Sequence, residues 1–437
     1  MQNKKNLNVV LVAHYYPPIN SSGAKRFQFL SKYLIELGAQ VCVITTTKSS
    51  SDGVFSELTP FGVELFELNG LGSVKKSVHD GGEFVPLHSK KPSFTRRIKN
   101  IVMNIFGQIP DPRMPFAFSL FFRRFPDEMR KRLEECDVIV ATTPPWSMLL
   151  AGLLLSIRFK KKVVFDFRDH FSYCHEMPGG YFAKKTEYFI DRWITKKATK
   201  LVVISEPMKS YYDSFNESCT VIANGYDHES MEKCRQELKN FSNNFEFSNF
   251  IVISYMGIIS EGRIPKNFIL ALDKASNEYP ELLNLVRLKF YGNSSLLEDY
   301  LKKEHPSILP MFVFSDFVPY ETSLKLMLSS DYLLFSETSN TDNLSSMGIL
   351  TTKLFEYLGT GRPILADISK KTLAGGLIAS SDSRNLVSIS YLDFYNAIVS
   401  NDFLIRKDSV VSDIALSYTR KGQAECYFKL LNEIKNV

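Results

Sequence analysis

The sequence predicts an α/β protein with two successive parallel sheets, each covered by helices on both faces. Three observations carry that prediction. At 437 residues the chain exceeds what one core ordinarily organises, so two domains of roughly 200 residues are expected. Short, near-continuous apolar runs alternate with amphipathic stretches, the pattern of β-α-β crossovers whose strands are buried on both faces. The alternation also runs through two cycles, parted by a polar Asn/Ser/Lys/Glu-rich stretch from Tyr226 to Phe250.

In the first cycle, Leu7–Ala13 and Val41–Thr45 read as strands around an amphipathic helix, Gly23 to Leu37, which Gly38 ends. Val138–Ala141, Val163–Phe167, Leu201–Ile204 and Val221–Ala223 read as further strands, with helices over Trp146–Phe159 and Ala183–Ala198. The second cycle has strands at Ile251–Met256, Val286–Tyr291, Phe312–Phe314, Tyr332–Phe335 and Ile364–Ala366. Its helices run to Ser276, to Lys303, and over Glu321–Leu328 and Leu354–Leu358, before a long terminal helix at Ser412–Ile434. The expected division is 1–225, 226–410 and a C-terminal helix in 411–437.

Composition narrows the function classes. With 44% hydrophobic and 23% charged residues the chain reads as an ordinary globular protein, and a formal charge of +6 suits an anionic substrate or an anionic membrane surface. Six cysteines are scattered without a C-x-x-C pair, which fits reduced, mostly buried thiols in a cytosol. The apolar run Val9–Ala13 after Lys4 and Lys5 is too short for a signal peptide. Met148–Ile157 falls short of the ~20 residues a spanning helix needs. A cytoplasmic protein without a membrane span is expected. Neither a metal-ligand cluster nor a D-x-D pair at a strand end is seen, so no metal is expected. No aromatic-plus-basic platform points to nucleic acid.

The most informative segment runs from Gly348 to Ala366. Its first half is polar and turn-like; Leu354, Phe355, Tyr357 and Leu358 then read as a short helix around Glu356. Gly359 and Gly361 can end that helix, and Arg362-Pro363 leads into the strand Ile364–Ala366. Lys353 and Glu356 stand three apart on one helical face. A cation at a helix start, beside outward-pointing amides, suits a phosphate, and a carboxylate suits sugar hydroxyls. An ordinary surface Lys–Glu pair has the same spacing.

Other segments carry chemistry-bearing residues at strand ends. His14-Tyr15-Tyr16-Pro17-Pro18 leads to Gly23 and Arg26 between a strand and a helix, where doubly wound folds place ligands. Gly23 permits close backbone approach, and the lack of G-x-G-x-x-G weighs against a dinucleotide site. Asp166-Phe167-Arg168-Asp169-His170 packs four ionisable groups into five residues; Asp166, Arg168 and His170 share one side if the strand continues. A salt-bridged loop is the other reading. Tyr255 to Lys266 reads as a strand, a turn at Gly257 and a helix start where Pro265 fits, with Arg263 and Lys266 placed to hold a diphosphate or to stand solvated. Tyr291-Gly292-Asn293 ends another strand. Lys90 to Phe106 is basic and apolar by turns, with Phe94, Ile98, Ile101, Val102 and Ile105 at helical spacing. That suits either an interfacial membrane contact or a surface helix facing the core.

Several of these segments resemble family-4 glycosyltransferases, enzymes of the GT-B fold. Gly348–Ala366 looks like their donor-binding motif, and His14 to Arg26 resembles their Y-F-P-P-x-x-x-x-G-A-x-R opening. Asp166–His170 is similar to the D-x-R-D-P-W signature of one branch, with His170 and Phe171 in place of Pro and Trp. Pro110-Asp111-Pro112-Arg113 and Ala141–Ser147 match that branch's P-D-P-R and S-x-P-P-Y-S. The resemblance implies two Rossmann-like domains facing across a cleft, with the last helix packing back on the first domain. It implies retaining, metal-independent transfer of a hexose or N-acetylhexosamine from a UDP- or GDP-linked donor. The acceptor would be a lipid-linked saccharide or oligosaccharide in bacterial surface-polysaccharide synthesis (capsule, lipopolysaccharide O-antigen or exopolysaccharide), at the inner face of the plasma membrane.

Carried onto this chain, the resemblance assigns reaction roles to Asp169, Arg168, Lys353 and Arg263. Donor contacts fall to Gly23, Gly257, Arg263, Lys266, Gly292 and the backbone of Val318, then to Ile349, Leu350, Thr351, Lys353, Leu354 and the ribose-holding Glu356. Arg26, Arg113, Thr143 and His170 would line the acceptor side. Two departures stand out. Ile258 follows Gly257 where an arginine is common, so Arg263 must serve instead. Gly348 stands where the first glutamate of E-x7-E contacts the sugar, so recognition must come partly from amides of Ile349–Thr351, which puts the sugar identity in doubt. Rival expectations are a non-hydrolysing nucleotide-sugar epimerase of the same fold, or a nucleotide-sugar-binding partner subunit with impaired catalysis.

Overall fold

In the first unit, apolar runs form an eight-stranded sheet because their side chains find helices on both faces. The computed structural model describes residues 6–49, 52, 54–55, 57–69, 74–77, 104–109, 111–172, 179–242, 250–338, 348–400, 402–406 and 408–436. The chain divides into 1–224 with 420–437, and 225–419. Strands of the first unit are β1 (Asn8–Val12), β2 (Ile19–Asn20), β3 (Gln40–Thr46), β4 (Val54–Phe55), β5 (Glu64–Leu68) and β6 (Val74–Ser77). They continue as β7 (Val138–Thr143), β8 (Lys162–Phe167), β9 (Lys200–Val203) and β10 (Cys219–Val221). The sheet order is β10-β9-β8-β7-β1-β3-β5-β6, parallel except for β6, while β2 and β4 pair antiparallel outside it. In register, Val10 lies between Cys42 and Ile139. The order reverses between β1 and β7, and ligands of such sheets bind beyond the carboxyl ends of the strands at that point.

The second unit repeats the logic with six parallel strands: β11 (Ile251–Met256), β12 (Val286–Tyr291), β13 (Phe312–Ser315), β14 (Tyr332–Ser336), β15 (Ile364–Asp367) and β16 (Leu386–Ser388). Their order is β13-β12-β11-β14-β15-β16, so the reversal falls between β11 and β14. Tyr255 stacks on Phe290 and Phe290 on Phe312, an aromatic row crossing three adjacent strands.

Three expectations change. The polar stretch after Tyr226 is a helix, His228–Ser242, begun by Asp227 accepting the Ser230 amide at 2.9 Å and anchored by buried Met231 and Cys234. Two apolar anchors one turn apart suffice when flanking charges pair, as Arg235 does with Glu232. The terminal helix starts at Arg420 rather than Ser412, because Ser412 caps a separate one-turn helix, Asp413–Leu416. Residues 411–419 stay with the second unit, and from Arg420 the chain joins the first, where the helix packs on Ser22–Glu36. Helices Met114–Phe122 and Asp127–Glu135 and strand β5 are additions that the sequence reading lacked. Of the basic-apolar segment Lys90–Phe106, residues 90–103 lie outside the described residues. Cys42, Cys136, Cys219 and Cys234 are buried and unbridged, and burial pushes the Cys136 and Cys219 thiols up to about 12.

Behind β8, helix Tyr181–Thr195 is tied down through a buried acid. Asp191 accepts the Ser172 amide at 3.1 Å, the Ser172 hydroxyl at 2.7 Å and the Tyr212 hydroxyl at 3.2 Å. Burial outweighs these donors and pushes its carboxyl from 3.8 up to about 7, with Glu187 adding to the rise. The folded state therefore holds a proton that the unfolded chain releases. The stability so gained is complete below the unfolded value and is lost as pH rises through the folded one. Asp191→Asn should remove this dependence. Between about pH 5 and 8 the wild-type melting temperature should fall by several degrees relative to the variant, and parallel thermal scans across pH would refute the assignment.

Candidate functional site

In the second unit, two cations converge on one buried carboxylate. Thr351, extended at φ −70° and ψ 153°, precedes helix Thr352–Thr360, which puts Lys353 in its first turn. A cation there opposes the helix dipole, so something outside the helix must hold it. Lys353 Nζ lies 2.9 Å from the Tyr255 hydroxyl and 3.6 Å from Glu337 Oε1, with its ammonium 4.1 Å from the Tyr255 ring centre. Arg263 Nε lies 2.7 Å from the other oxygen, Glu337 Oε2. The Glu337 side chain is 3% exposed and that of Lys353 15%. Lys353, Arg263 and Glu337 together carry one net positive charge at the carboxyl ends of β11 and β14, with the Arg263 side chain 23% and the Lys353 side chain 15% exposed. Such a group can hold an anion.

The frame around it is fixed by close packing. The Tyr357 hydroxyl accepts the Met256 amide at 2.9 Å, clamping the Lys353 helix to the end of β11. Glu356 is half-buried three residues beyond Lys353 on the same helix. Gly257 and Gly292 have φ of +114° and +126°, and a Cβ on Gly292 would lie 2.5 Å from the Gly257 carbonyl oxygen. Only glycines allow these two turns to meet backbone to backbone.

Several expected donor residues take other parts. The helix Lys266–Glu278 is no open anion site, because Asp367 already accepts the amides of Asn267 at 2.8 Å and Phe268 at 3.3 Å. Lys266 is exposed, 6.0 Å from the Tyr300 ring, while Arg263 has turned to Glu337. Arg263 therefore stands with Lys353 at Glu337 rather than with Lys266. Leu354 is wholly buried and its amide donates to Thr351, so it is a packing residue. Ile349 is half-buried and Leu350 buried beside Thr351, and Val318 is half-buried in the loop after β13.

In the first unit, Arg26 and Asp166 form a buried clasp. Arg26 Nη2 donates to Asp166 Oδ2 at 2.8 Å and to the Ile222 carbonyl at 2.9 Å, and Nη1 donates to the Ala223 carbonyl at 2.9 Å. Asp166 also accepts from Thr142 and from the Tyr427 hydroxyl. Arg26 is thus spent on holding four chain segments together and is no acceptor contact. His170 is likewise displaced: it is buried, stacked on Tyr212 at 5.7 Å and edge-on to Tyr211. Because β8 stops at Phe167, Asp166, Arg168 and His170 do not line one side.

Arg168 donates through Nη2 to the Pro144 carbonyl at 2.6 Å and through Nε to the Thr143 carbonyl at 3.4 Å. Burial lowers its pKa, though neighbouring Asp169 and Asp166 favour the charge. Gly23 makes room for it, since a Cβ there would lie 2.3 Å from Arg168 Nη1. Asp169 is exposed beside it, and Thr143 is buried, serving Arg168 through its carbonyl. Arg113 Nη2 lies 2.8 Å from His14 Nε2 and 3.1 Å from Asp52 Oδ1. Burial with Lys48 and Arg113 nearby drives His14 down to about 3, so the ring is neutral at pH 7. Burial also pulls Lys48, bonded to the Thr46 carbonyl at 2.8 Å, down to about 7.

Glu337, Lys48 and Asp52 escaped the sequence reading. Glu337 left a signal: an acid directly beyond the apolar strand Tyr332–Ser336, where a switch-point ligand sits. Among the described residues, no group of three His, Cys, Asp or Glu side chains has the geometry of a metal site, and no helix is long and apolar enough to cross a membrane.

Comparison with known proteins agrees with this architecture. Residues 24–230 match the family model described as Glycosyltransferase Family 4. None of the curated proteins matches the chain. Sucrose-phosphate synthase from Thermosynechococcus elongatus superposes with a TM-score of 0.58 at 12% identity, over 99% of this chain and 97% of that one. Anabaena HepE in complex with UDP and glucose gives 0.52 at 14%, over 99% and 98%. UDP-GlcNAc 2-epimerase from Methanocaldococcus jannaschii gives 0.51 at 13%, over 98% and 99%. The Lys353 site lies beyond the matched segment, so family and fold rest on separate findings. Residues 24–230 are thus similar to Glycosyltransferase Family 4, and the two-unit fold is GT-B, the fold of these solved structures.

Proposed function

We propose that this protein transfers a sugar from a nucleotide-sugar donor to a hydroxyl of a saccharide acceptor. The observation that carries the reading is the convergence of Lys353 and Arg263 on buried Glu337 at the β11–β14 switch point. Negative charge grows on the departing diphosphate as the glycosidic bond breaks. A pre-oriented, partly desolvated pair of cations stabilises that charge more than it stabilises the bound donor, which is what lowers a barrier. Glu337 fixes both cations before the donor arrives, so no reorganisation is needed, and no metal is required for the role. The ribose hydroxyls donate to Glu356, on the same helix, the role that the family resemblance implies for it.

The HepE complex with UDP and glucose supports a uridine-linked donor. Retention of configuration, a lipid-linked acceptor and a part in surface-polysaccharide synthesis follow from the motif resemblance and belong to this proposal. The 2-epimerase neighbour supports one rival, in which the monosaccharide is altered with no acceptor present. Incubating the protein with UDP-sugars, with and without acceptor extract, distinguishes them by the product formed.

Glu356→Gln tests the donor site directly. Losing a charge-assisted bond of about 1.5–3 kcal/mol should weaken UDP binding at least about tenfold in calorimetry, with little change in melting temperature. Unchanged affinity would make Glu356 structural and displace the site.

A further inference from the structure

Helix Tyr181–Thr195 presents water with a face that ordinary surface helices do not have. At 3.6 residues per turn its exposed positions fill about half the circumference. That half carries Tyr181, Phe182, Tyr188, Phe189 and Trp193, with Phe182 82% and Trp193 53% exposed. Between them stand exposed Lys185 and Arg192, and exposed Lys196 and Lys197 follow at the helix end. The helix has two acids, Glu187 and Asp191, and both are turned inward and buried. Glu187 accepts the Gln108 amide at 2.5 Å and Lys184 Nζ at 3.1 Å, so the inner face is firmly seated. The cations lean over rings: Lys185 lies 5.9 Å from Tyr181 and Arg192 6.0 Å from Phe215. The patch continues beyond the helix start. Ile105 and Phe106 are more than half exposed, and the Ile105 carbonyl lies 3.7 Å from where a Gly180 Cβ would be.

From this we infer that the outer face of helix Tyr181–Thr195 docks on an anionic lipid surface. Aromatic rings with polar tips favour the interface between headgroups and acyl chains, and cations among them meet anionic headgroups. Charge complementarity selects that partner, because the exposed half of this helix carries cations and no acid. A protein interface core, by contrast, is depleted in lysine. The inference takes its purpose from the proposed lipid-linked acceptor, whereas the face itself rests on geometry and is tested without any transfer assay.

The test uses the full chain with vesicles of phosphatidylcholine alone or with about one third phosphatidylglycerol. Of the two tryptophans, Trp146 is buried and Trp193 exposed, so an emission blue shift on adding vesicles reports Trp193 entering lipid. Wild type should sediment with anionic vesicles, show the shift, and lose both as salt shortens the Debye length. Replacing Lys185, Arg192 and Lys196 by Gln should lower partitioning about 10²-fold, at roughly fivefold per cation. Phe182→Ser with Phe189→Ser should abolish the blue shift while UDP calorimetry stays unchanged. Binding that survives both variants, or anionic vesicles that leave Trp193 emission unmoved, would overturn the inference. So would a lipid-free dimer, detected by light scattering, in which Trp193 emission is already shifted. Failure of UDP binding in wild type would instead strike the proposed function alone.

Discussion

Lys353→Ala is expected to lower transfer at least about 10²-fold, because a pre-oriented donor facing developing oxyanion charge is worth that much in the rate. The effect should fall on kcat and kcat/KM together, since the lost interaction strengthens as the diphosphate departs. The fold should survive. Glu337 keeps Arg263 at 2.7 Å when Lys353 is gone, so no buried charge is left alone, and the Tyr255 hydroxyl loses a single partner. Steady-state kinetics with a UDP-sugar, alongside thermal unfolding, reads both halves of the expectation. Turnover near wild type would reduce Lys353 to a structural companion of Glu337.

Asp166→Ala should cost about 3–5 kcal/mol of unfolding free energy, the penalty for stripping the partner from a buried ion pair. Asp166 is fully buried and Arg26 nearly so. One carboxylate also takes Thr142 and Tyr427, which brings the first helix, β7, β8 and the terminal helix to one point. Removing it leaves the guanidinium with carbonyl partners but no counter-charge. Both tryptophans, Trp146 and Trp193, belong to the first unit, so urea unfolding followed by tryptophan fluorescence isolates that unit's transition. Asp166→Asn, which keeps the shape and an acceptor, should lose less. A loss below about 1 kcal/mol in Asp166→Ala would mean that the clasp is held by packing and the pair is incidental.

The two cases show where sequence reading reaches and where it stops. Both sheets were legible because a parallel strand buried on two faces is apolar along nearly its whole length, as Val138–Ala141 is and as Ile251–Met256 is but for Ser254. Lys353 was legible because a helix start, a glycine stop and a following strand are local signals within twenty residues. Gly23 and Gly292 also stood out, yet the reasons for them are not local: one yields space to Arg168 and the other meets the Gly257 carbonyl. Helix His228–Ser242 was missed because its burial is slight and its pairs with Glu321 and Lys325 come from about ninety residues away.

By itself the sequence determined the α/β class, the two units, the strand-end loops that hold the candidate ionisable residues, and Lys353 with Glu356 on one helix. Tertiary structure alone decided which charges meet. It gave Arg26 to Asp166 and closed the Lys266 helix with Asp367. It turned His170 into a tyrosine stack and set Glu337 between Arg263 and Lys353. The physical reason is that hydrophobic periodicity is written residue by residue along the chain, whereas the partner of a buried charge is chosen by whichever distant segment the packed sheets bring within about 3 Å.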